Sequence, residues 1–430
     1  MTPPPVAPVA ERTPLAPPIG QHSGTPAGPG MGATRDATRE RLLALDVFRG
    51  LTVAGMLLVN DPGSWSYIFP PLEHAPWHGW TPTDLIFPFF LFIVGITTEL
   101  SLGARRARGA SDRDLALAIL RRGGLIFLLG FLLNWFPFWQ WGTIQSLPDA
   151  GFWDRVLWRI DHVRVFGVLQ RIGLAYIIGG LLTLRTTLKQ QVVILAVLLY
   201  GYWFAMALLP VPDTGALGAL MLDSKGGTLA AWLDRAVLGA KHIWSGGVVY
   251  DPEGILSTIP AAGTVILGVL AGRWIGSPRP LAERLNGLFA GGALAAVAGM
   301  MWHWSFPINK SLWTSSYVVF TAGVACLTLG TIMWLVDVHR VTGWTKPFVV
   351  YGMNPLIAFL GSGLMARMIY SIWKVQVDGR PVAAQAAFHQ AVFASWLPPR
   401  LASLCFALTF VLFWYAVLAL LHRKRIYLKV

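Results

Sequence analysis

The sequence predicts an all-α polytopic membrane protein, with about ten transmembrane helices in one bundle. The chain has 430 residues, of which 55% are apolar and only 13% are charged, about half the charge of an average soluble domain. Apolar stretches of roughly 17–25 residues recur, the length that a helix needs to cross the hydrocarbon core of a bilayer. Because these stretches lack the period-two alternation of barrel strands, helices are the elements that can span lipid with every backbone group paired.

The order of the apolar stretches defines the predicted domain organisation. Residues 1–38 are rich in Pro, Gly, Ala and Thr without apolar periodicity, and we expect a disordered cytoplasmic tail there. Residues 39–430 form the predicted membrane domain. Its spans are expected near 43–60, 83–103, 116–136, 165–184, 190–210, 256–275, 285–304, 313–335, 347–366 and 400–421.

Charge and cysteine content restrict the classes of function that the sequence allows. Of the 34 Lys and Arg residues, roughly twice as many fall on the side of the two termini as on the other side, and the positive-inside rule therefore predicts both termini in the cytoplasm. We expect a multi-pass protein of a bacterial inner membrane, with the lipid bilayer as its environment. The basic residues are dispersed between apolar blocks, which argues against a nucleic acid partner. Cys326 and Cys405 lie within apolar runs, so we expect neither a disulfide framework nor a metal site.

The loop 61–82, between the first two predicted spans, is the most typical of a catalytic site. Asn60 ends the preceding span and Asp84 opens the next, so antiparallel helices would bring both to one depth beneath His74. A histidine held over a carboxylate and an amide suits a general base near neutral pH, and His78 competes on the same grounds. The alternative is that these residues belong to an interfacial aromatic belt and that Asp84 only caps a helix.

Charged and amide side chains also occur inside predicted spans. Asp46 and Arg49 are three residues apart in the first span, hence on one helix face, and Gln170 precedes Arg171 in the fourth. Charges within a membrane are costly and usually face a cavity. Each pair is therefore either a buried structural bridge or a contact to the phosphate of a ligand.

Polar residues gather at the ends of three other predicted spans. The turn before the sixth span offers two carboxylates, the eighth span opens with an amide, an ammonium and an indole, and the ninth contains an amide before a proline. Such groups suit sugar hydroxyls, although each could equally be a helix cap, an interfacial anchor or a kink. These candidates for substrate binding are Asp251, Glu253, Asn309, Lys310, Trp313 and Asn354.

Several catalytic motifs are absent from the sequence. It contains no GxxxxGK[ST], no GxGxxG opening a helix, no HExxH and no GxSxG. Each of these motifs places particular groups around a nucleotide, a metal or a serine nucleophile. Their absence argues against an ATPase, a dinucleotide enzyme, a zincin and a serine hydrolase.

The conspicuous segments together resemble the heparan-α-glucosaminide N-acetyltransferase family. The resemblance starts with LDVFRG at 45–50, HAPWHG at 74–79 and TDLIFPF at 83–89. The matches occur in family order across about residues 41–425, which makes chance unlikely. Further matches lie at 167–172, 251–254, 309–313 and 352–354.

The resemblance implies a membrane acyltransferase that takes acetyl from acetyl-CoA and gives it to the amine of a terminal glucosamine. On this basis His74 matches the catalytic histidine of the family, Asn60 matches an asparagine of the active site, and Asp84 matches an aspartate near them. The phosphates of CoA need cations, for which Arg49 and Arg171 are the candidates, with Asp46 and Gln170 beside them. A homodimer is implied by family analogy alone.

Two chemical routes and two other function classes stay open at this point. His74 would either deprotonate the acceptor amine, while Asn60 stabilises the oxyanion, or carry the acetyl group itself. The expected acceptor is an amino sugar or a saccharide hydroxyl at the non-cytoplasmic face. A transporter of amino sugars or their oligomers would use similar intramembrane polar groups but would move sugar without acetyl-CoA. A third reading is a binding or scaffold subunit without turnover.

Overall fold

The computed structural model describes residues 43–428, and the tail predicted at 1–38 lies outside this range. Within it the regular secondary structure is helical apart from one antiparallel hairpin. Its strands are β1 (Lys374–Val377) and β2 (Arg380–Ala383), in which Lys374 pairs with Ala383. The all-α membrane fold class is confirmed. In chain order the helices are α1 (Leu43–Asn60), α2 (Ile86–Arg106), α3 (Asp112–Trp135), α4 (Phe152–Asp161), α5 (Val168–Leu184), α6 (Leu188–Leu208), α7 (Leu229–Leu238), α8 (Thr258–Ile275), α9 (Leu281–Trp302), α10 (Ser315–Met333), α11 (Lys346–Met353), α12 (Pro355–Arg367), α13 (Ala384–His389) and α14 (Pro399–Arg423).

Short irregular turns extend or precede several of these helices. Single π turns continue α10, α12 and α13, and 3₁₀ turns lie in the loops before α2 and α7. The π turns are Trp334–Val338, Met368–Ile372 and Gln390–Ala394, and the 3₁₀ turns are Pro70–Leu72, Pro82–Leu85 and Gly218–Met221.

Nine helical segments of the described range are long and apolar enough to cross a membrane. The fourth predicted span is the shorter helix α5, with 17 residues. The ninth prediction, 347–366, was misplaced because the helix breaks at Asn354, and the membrane-length segment is Pro355–Ile372. Pro355 causes the break, since a proline lacks the N–H that would continue α11 and disfavours helical geometry in the residue before it.

Short connections on one side of the bundle join consecutive spans into antiparallel pairs, so the helix ends fall on two sides. Ser111 and Thr187 start α3 and α6 with capping boxes directly after the preceding helix, which satisfies the free N–H groups of the first turn. We call the side where α1 ends the loop side, and the other the opposite side. The loop side carries the long segments 61–85, 136–167, 209–257, 303–314 and 373–398.

Close helix packing relies on glycine. A Cβ at Gly95 of α2 would overlap the carbonyl oxygen of Val265, and a Cβ at Gly268 of α8 would overlap that of Phe92. Small residues let membrane helices approach until their backbones touch. A buried apolar cluster lies around this pair and includes Leu91, Ile172, Val265 and Tyr317 from α2, α5, α8 and α10.

We expect Gly95→Ala to lower the melting temperature of the detergent-solubilised protein, because the added methyl group separates α2 from α8. Overpacking of this kind costs about 1–3 kcal/mol. Gly103→Ala on the same helix is the matched control, since nothing lies within 4 Å of its Cβ position, and it should be neutral or slightly stabilising. Tryptophan fluorescence during heating measures both variants, and an equal melting temperature for the two would contradict the packing argument.

Candidate active site

A cavity of about 720 Å³ passes through the helical bundle. At the loop side its wall includes His74 and Lys310, and deeper in the bundle it includes Arg122 and Tyr176. Arg122 lies ten residues into α3, about 15 Å from the opposite side at 1.5 Å per residue. Leu428, which follows α14 on the opposite side, also lines the cavity. The cavity is therefore bounded by residues from both sides of the bundle.

Asp84 positions His74 at the loop-side end. One carboxylate oxygen, Oδ1, lies 2.7 Å from His74 Nδ1, and Oδ2 accepts the backbone N–H groups of Ala75 and Thr81, each at 3.0 Å. The second bond belongs to a capping box with Thr81 at the start of the 3₁₀ turn before α2. Tyr317 adds a hydrogen bond of 2.5 Å to the Asp84 carbonyl. Both interpretations of Asp84 therefore apply, because the helix cap is what aims the carboxylate at the histidine.

The hydrogen bond to Asp84 determines which nitrogen of His74 can accept a proton. A neutral imidazole that donates its Nδ1–H to a carboxylate keeps a lone pair on Nε2. The side chain of His74 is 46% exposed and lines the cavity. The geometry thus provides an oriented and accessible base.

Lys310 lies against the same imidazole. Its Nζ is 3.0 Å from Nδ1 and 3.2 Å from Nε2 of His74, and 3.6 Å from Asp84 Oδ1. Burial lowers the pKa of Lys310 below its ordinary value, although the carboxylates of Asp84 and Glu253 favour its charged form. A positive charge is therefore held next to the base, on a group that releases its proton more readily than an exposed lysine.

His78 has a different environment from His74. Its Nε2 lies 2.9 Å from Asp223 Oδ1, its Nδ1 lies 3.3 Å from Asn309 Nδ2, and it is not among the residues that line the cavity. Beside it, the indole of Trp77 donates to the Leu222 carbonyl at 2.8 Å. These contacts fasten the histidine loop to the segment before α7. The geometry favours His74 over His78 as the base.

A carboxylate turn before α8 forms the next part of the wall. Arg164 binds Asp251 through Nε at 2.9 Å and Nη2 at 2.5 Å, and Nη2 also contacts Glu253 Oε2. Glu253 lines the cavity. Burial alone would raise the pKa of Glu253, but the guanidinium groups of Arg164 and Arg171 lower it below its ordinary value. Glu253 therefore stays ionised at neutral pH. In residues 43–428 no cluster of three or more His, Cys, Asp and Glu side chains could hold a metal ion.

Asp234 of α7 supports this turn from behind. It is 1% exposed, and its Oδ1 accepts the Ile255 N–H at 2.8 Å. A Cβ on Gly254 would overlap its carboxylate, so the turn needs glycine at that position. Burial raises the pKa of Asp234 to about 7. The network of Asp234, Asp251 and Arg164 fixes the position of Glu253.

Five of the sequence-predicted site residues meet on the cavity wall: Asn60, His74, Asp84, Glu253 and Lys310. Three other substrate-binding candidates lie behind it. Asp251 pairs with Arg164, the indole of Trp313 donates to Thr264 Oγ1 at 3.1 Å, and Asn309 Oδ1 accepts the Leu312 N–H at 2.9 Å. These three residues hold the wall in place from within the protein.

The two arginines predicted to contact phosphate do not line the cavity. Arg171 is fully buried, binds the Gly254 carbonyl and Ser257 Oγ, and does not line the cavity. Arg49 binds Asp46 Oδ1 and the Gly352 carbonyl, each at 2.6 Å, which ties α1 to α11. Both arginines and Asp46 therefore have structural partners.

Gln170 and Asn354 also differ from expectation. Gln170 lines a smaller polar pocket beside the cavity instead of the cavity itself. The Asn354 amide donates to the Ile426 carbonyl at 3.0 Å and accepts the Leu428 N–H at 3.2 Å. Asn354 thus binds the segment after α14 at the helix break and is not part of the loop-side group of residues.

Three residues of the site were missed by the sequence analysis. Arg122 and Arg164 counted only among the basic residues that predict the membrane orientation, and Asp234 had no predicted role. For Arg122 a signal was present, since it falls inside the span predicted at 116–136, where a charge usually faces a cavity. For Arg164 and Asp234 the sequence carries no comparable signal, because their importance depends on partners that are distant in the chain.

The fold and site define a class: a polytopic helical membrane protein with a histidine–carboxylate pair at one end of an internal cavity. A sequence model described as the catalytic domain of heparan-alpha-glucosaminide N-acetyltransferase matches residues 41–308. Heparan-alpha-glucosaminide N-acetyltransferase of Mus musculus is 30% identical over 393 residues, covering 80% of this chain and 56% of the relative. The Homo sapiens protein of the same name is 30% identical over 383 residues, covering 78% and 55%.

The chain therefore belongs to the heparan-alpha-glucosaminide N-acetyltransferase family. It spans about half the length of the curated relatives that it matches. The matched segment contains the histidine loop and the carboxylate turn, and it ends just before Asn309.

We expect the stability gap between Asp234→Asn and the native protein to shift in favour of the variant as the pH rises from 5 to 8. The folded-state pKa of Asp234 is raised from 3.8 to about 7, so the folded state binds more protons than the unfolded state in that window. The native protein therefore loses stability as the pH rises through it, and asparagine cannot titrate. Asp149→Asn, at an exposed position, is the control. Melting temperatures measure the gap, and a pH-independent difference would contradict the burial argument.

Proposed function

We propose that the protein is an acetyl-CoA-dependent acetyltransferase of a bacterial inner membrane. The acceptor is the amine, or a hydroxyl, of a glucosamine-type sugar at the non-cytoplasmic face, and both chain termini are cytoplasmic. The observation that carries the proposal is the cavity that joins the His74–Asp84 pair to residues of the opposite side. A donor entering from the cytoplasm could present its thioester to a base near the other face.

The proposed chemistry is acyl transfer. The acceptor nitrogen attacks the thioester carbon while Nε2 of His74 takes the proton from the amine, and the C–S bond breaks as the C–N bond forms. The proton then passes to the departing thiolate of CoA. General base catalysis contributes about 10²–10⁴-fold, and Asp84 stabilises the imidazolium that forms, since its carboxylate lies 2.7 Å from Nδ1.

The transition state also carries an oxyanion on the former carbonyl oxygen. The Asn60 amide and the Lys310 ammonium both line the cavity and supply donors for it. A positioned donor of this kind contributes about 10²–10³-fold in a site that excludes water. An acetyl group carried on His74 would use the same donors, and an acetylated enzyme detected by mass spectrometry in the absence of acceptor would identify that route.

Arg122 is our candidate for the CoA phosphates. It lines the deep part of the cavity, and its guanidinium carbon lies 5.4 Å from the centre of the Tyr176 ring. Arginine suits phosphate because its planar group donates two parallel hydrogen bonds. Unlike Arg49 and Arg171, it lies on the cavity wall.

We expect His74→Ala to lower acetyl transfer from labelled acetyl-CoA to glucosamine by at least about 10²-fold, because the general base is removed. His78→Ala is the matched control and should retain most of the activity, since His78 does not line the cavity. The assay uses purified protein and mass-spectrometric detection of the acetylated sugar. Full activity of His74→Ala would remove the assignment of His74 as the base. Sugar transport into vesicles without acetyl-CoA that survives this substitution would favour a transporter instead.

We expect Arg122→Gln to raise the KM for acetyl-CoA by at least about tenfold, because a charge-assisted contact to phosphate is lost. The KM for S-acetylpantetheine, which lacks the phosphates, should not change. Arg121→Gln is the control, since Arg121 does not line the cavity. Equal losses with both donors would show that Arg122 acts on the protein and not on the phosphates.

A further inference from the structure

A second pocket of about 250 Å³ adjoins the main cavity at the loop side. We call it the side chamber. It shares Asn60, Arg164 and Phe359 with the cavity wall, so the two spaces are direct neighbours. Its polar wall consists of Asn60, Asp61, Asn134, Arg164, Gln170, Ser362 and Arg367.

Arg367 is the unusual member of this wall. Its Nη1 donates to the Gly363 carbonyl at 3.0 Å, and it makes no ion pair with any other residue of the range 43–428. That carbonyl lies one turn earlier on the same helix, whose backbone already uses it. A largely buried guanidinium without a counter-charge is costly at membrane depth and usually indicates a function.

The neighbouring Arg159 is an example of an arginine with a structural role. Arg159 donates to the carbonyls of Asn134, Trp135 and Phe136 at 2.6–3.2 Å, and so satisfies the free acceptors at the end of α3. Arg367 caps no such helix end. Its remaining donors, Nε and Nη2, have no partner in the part of the chain that the structure describes.

Arg164 adds a second donor to the side chamber. Its ion pairs with Asp251 and Glu253 use Nε and Nη2, which leaves the Nη1 edge without a partner among residues 43–428. Two guanidinium groups therefore border one small space. Paired arginine donors match the two oxygens of a carboxylate.

Asp61 is the only acid on the described wall of the chamber. It forms no ion pair with Arg164 or Arg367 among the described residues, and burial raises its pKa to about 7. A substantial fraction of this carboxyl is therefore neutral at neutral pH. Arg164 is already compensated by Asp251 and Glu253, so Arg367 is the charge on the described chamber wall that an anion would compensate.

We propose that the side chamber binds an anionic substituent of the carboxylate class on the acceptor molecule whose amine reaches His74. Arg367 is its principal contact and Arg164 the second. The inference rests on the proposed function, and it specifies the acceptor as an amino sugar that carries an acidic group. The substituent fixes the orientation of the sugar, so that the amine points at the base.

Calorimetric titration of the full-length protein in detergent, without acetyl-CoA, tests the proposal. The probes are glucosamine and muramic acid, which is glucosamine with a carboxyethyl ether group. The native protein should bind muramic acid at least about tenfold more tightly, the value of a charge-assisted bidentate contact. Arg367→Gln should abolish this difference and keep the glucosamine affinity, which also reports that the variant is folded. Arg367→Lys should retain part of the difference.

Arg380→Gln is the matched control, because it removes an exposed arginine on the same side and should leave the preference unchanged. The proposal is overturned if native protein binds both sugars equally, or if Arg367→Gln keeps the preference. It is also overturned if propionate alone binds in an Arg367-dependent way while muramic acid binds no better than glucosamine. These results leave glucosamine binding intact, whereas failure of the proposed function would appear as absent acetyl transfer to either sugar.

Discussion

The carboxylate of Asp84 is the group on which the arrangement of the site depends. It completes a capping box with Thr81 and binds the Nδ1 atom of His74, so the start of a membrane helix and the orientation of the base share one side chain. Lys310 lies within 3.6 Å of the same carboxylate. Because Asp84 caps a helix of the bundle, it holds the imidazole of His74 more rigidly than a residue of a surface loop would.

The carboxylate turn before α8 is a second rigid part of the cavity wall. The bidentate bond between Arg164 and Asp251, with Asp234 behind it, holds a turn of irregular backbone before α8. Such backbone is tolerated where it is buried in protein or lines a cavity. The two elements come from distant parts of the chain, so the site exists only when the bundle is assembled.

The sequence was sufficient for the fold class and for the loop that carries His74. Length and apolarity locate a membrane helix without knowledge of its neighbours, and Asn60 and Asp84 were expected at one depth because a single loop joins the ends of their helices. The sequence was insufficient for residues whose role depends on a contact with a residue distant in the chain. Arg171 looks like Arg122 in sequence, yet its bonds to Ser257 and Gly254 follow from a contact with α8 that no local pattern encodes.

The segment after α14 has a consequence for handling the protein. Asn354 binds the backbone of Ile426 and Leu428 inside a helix break, and Leu428 forms part of the wall of the cavity. The end of the described chain is thus a component of the ligand space and not a free appendage. An affinity handle or reporter placed next to Leu428 would therefore alter the wall of the ligand space.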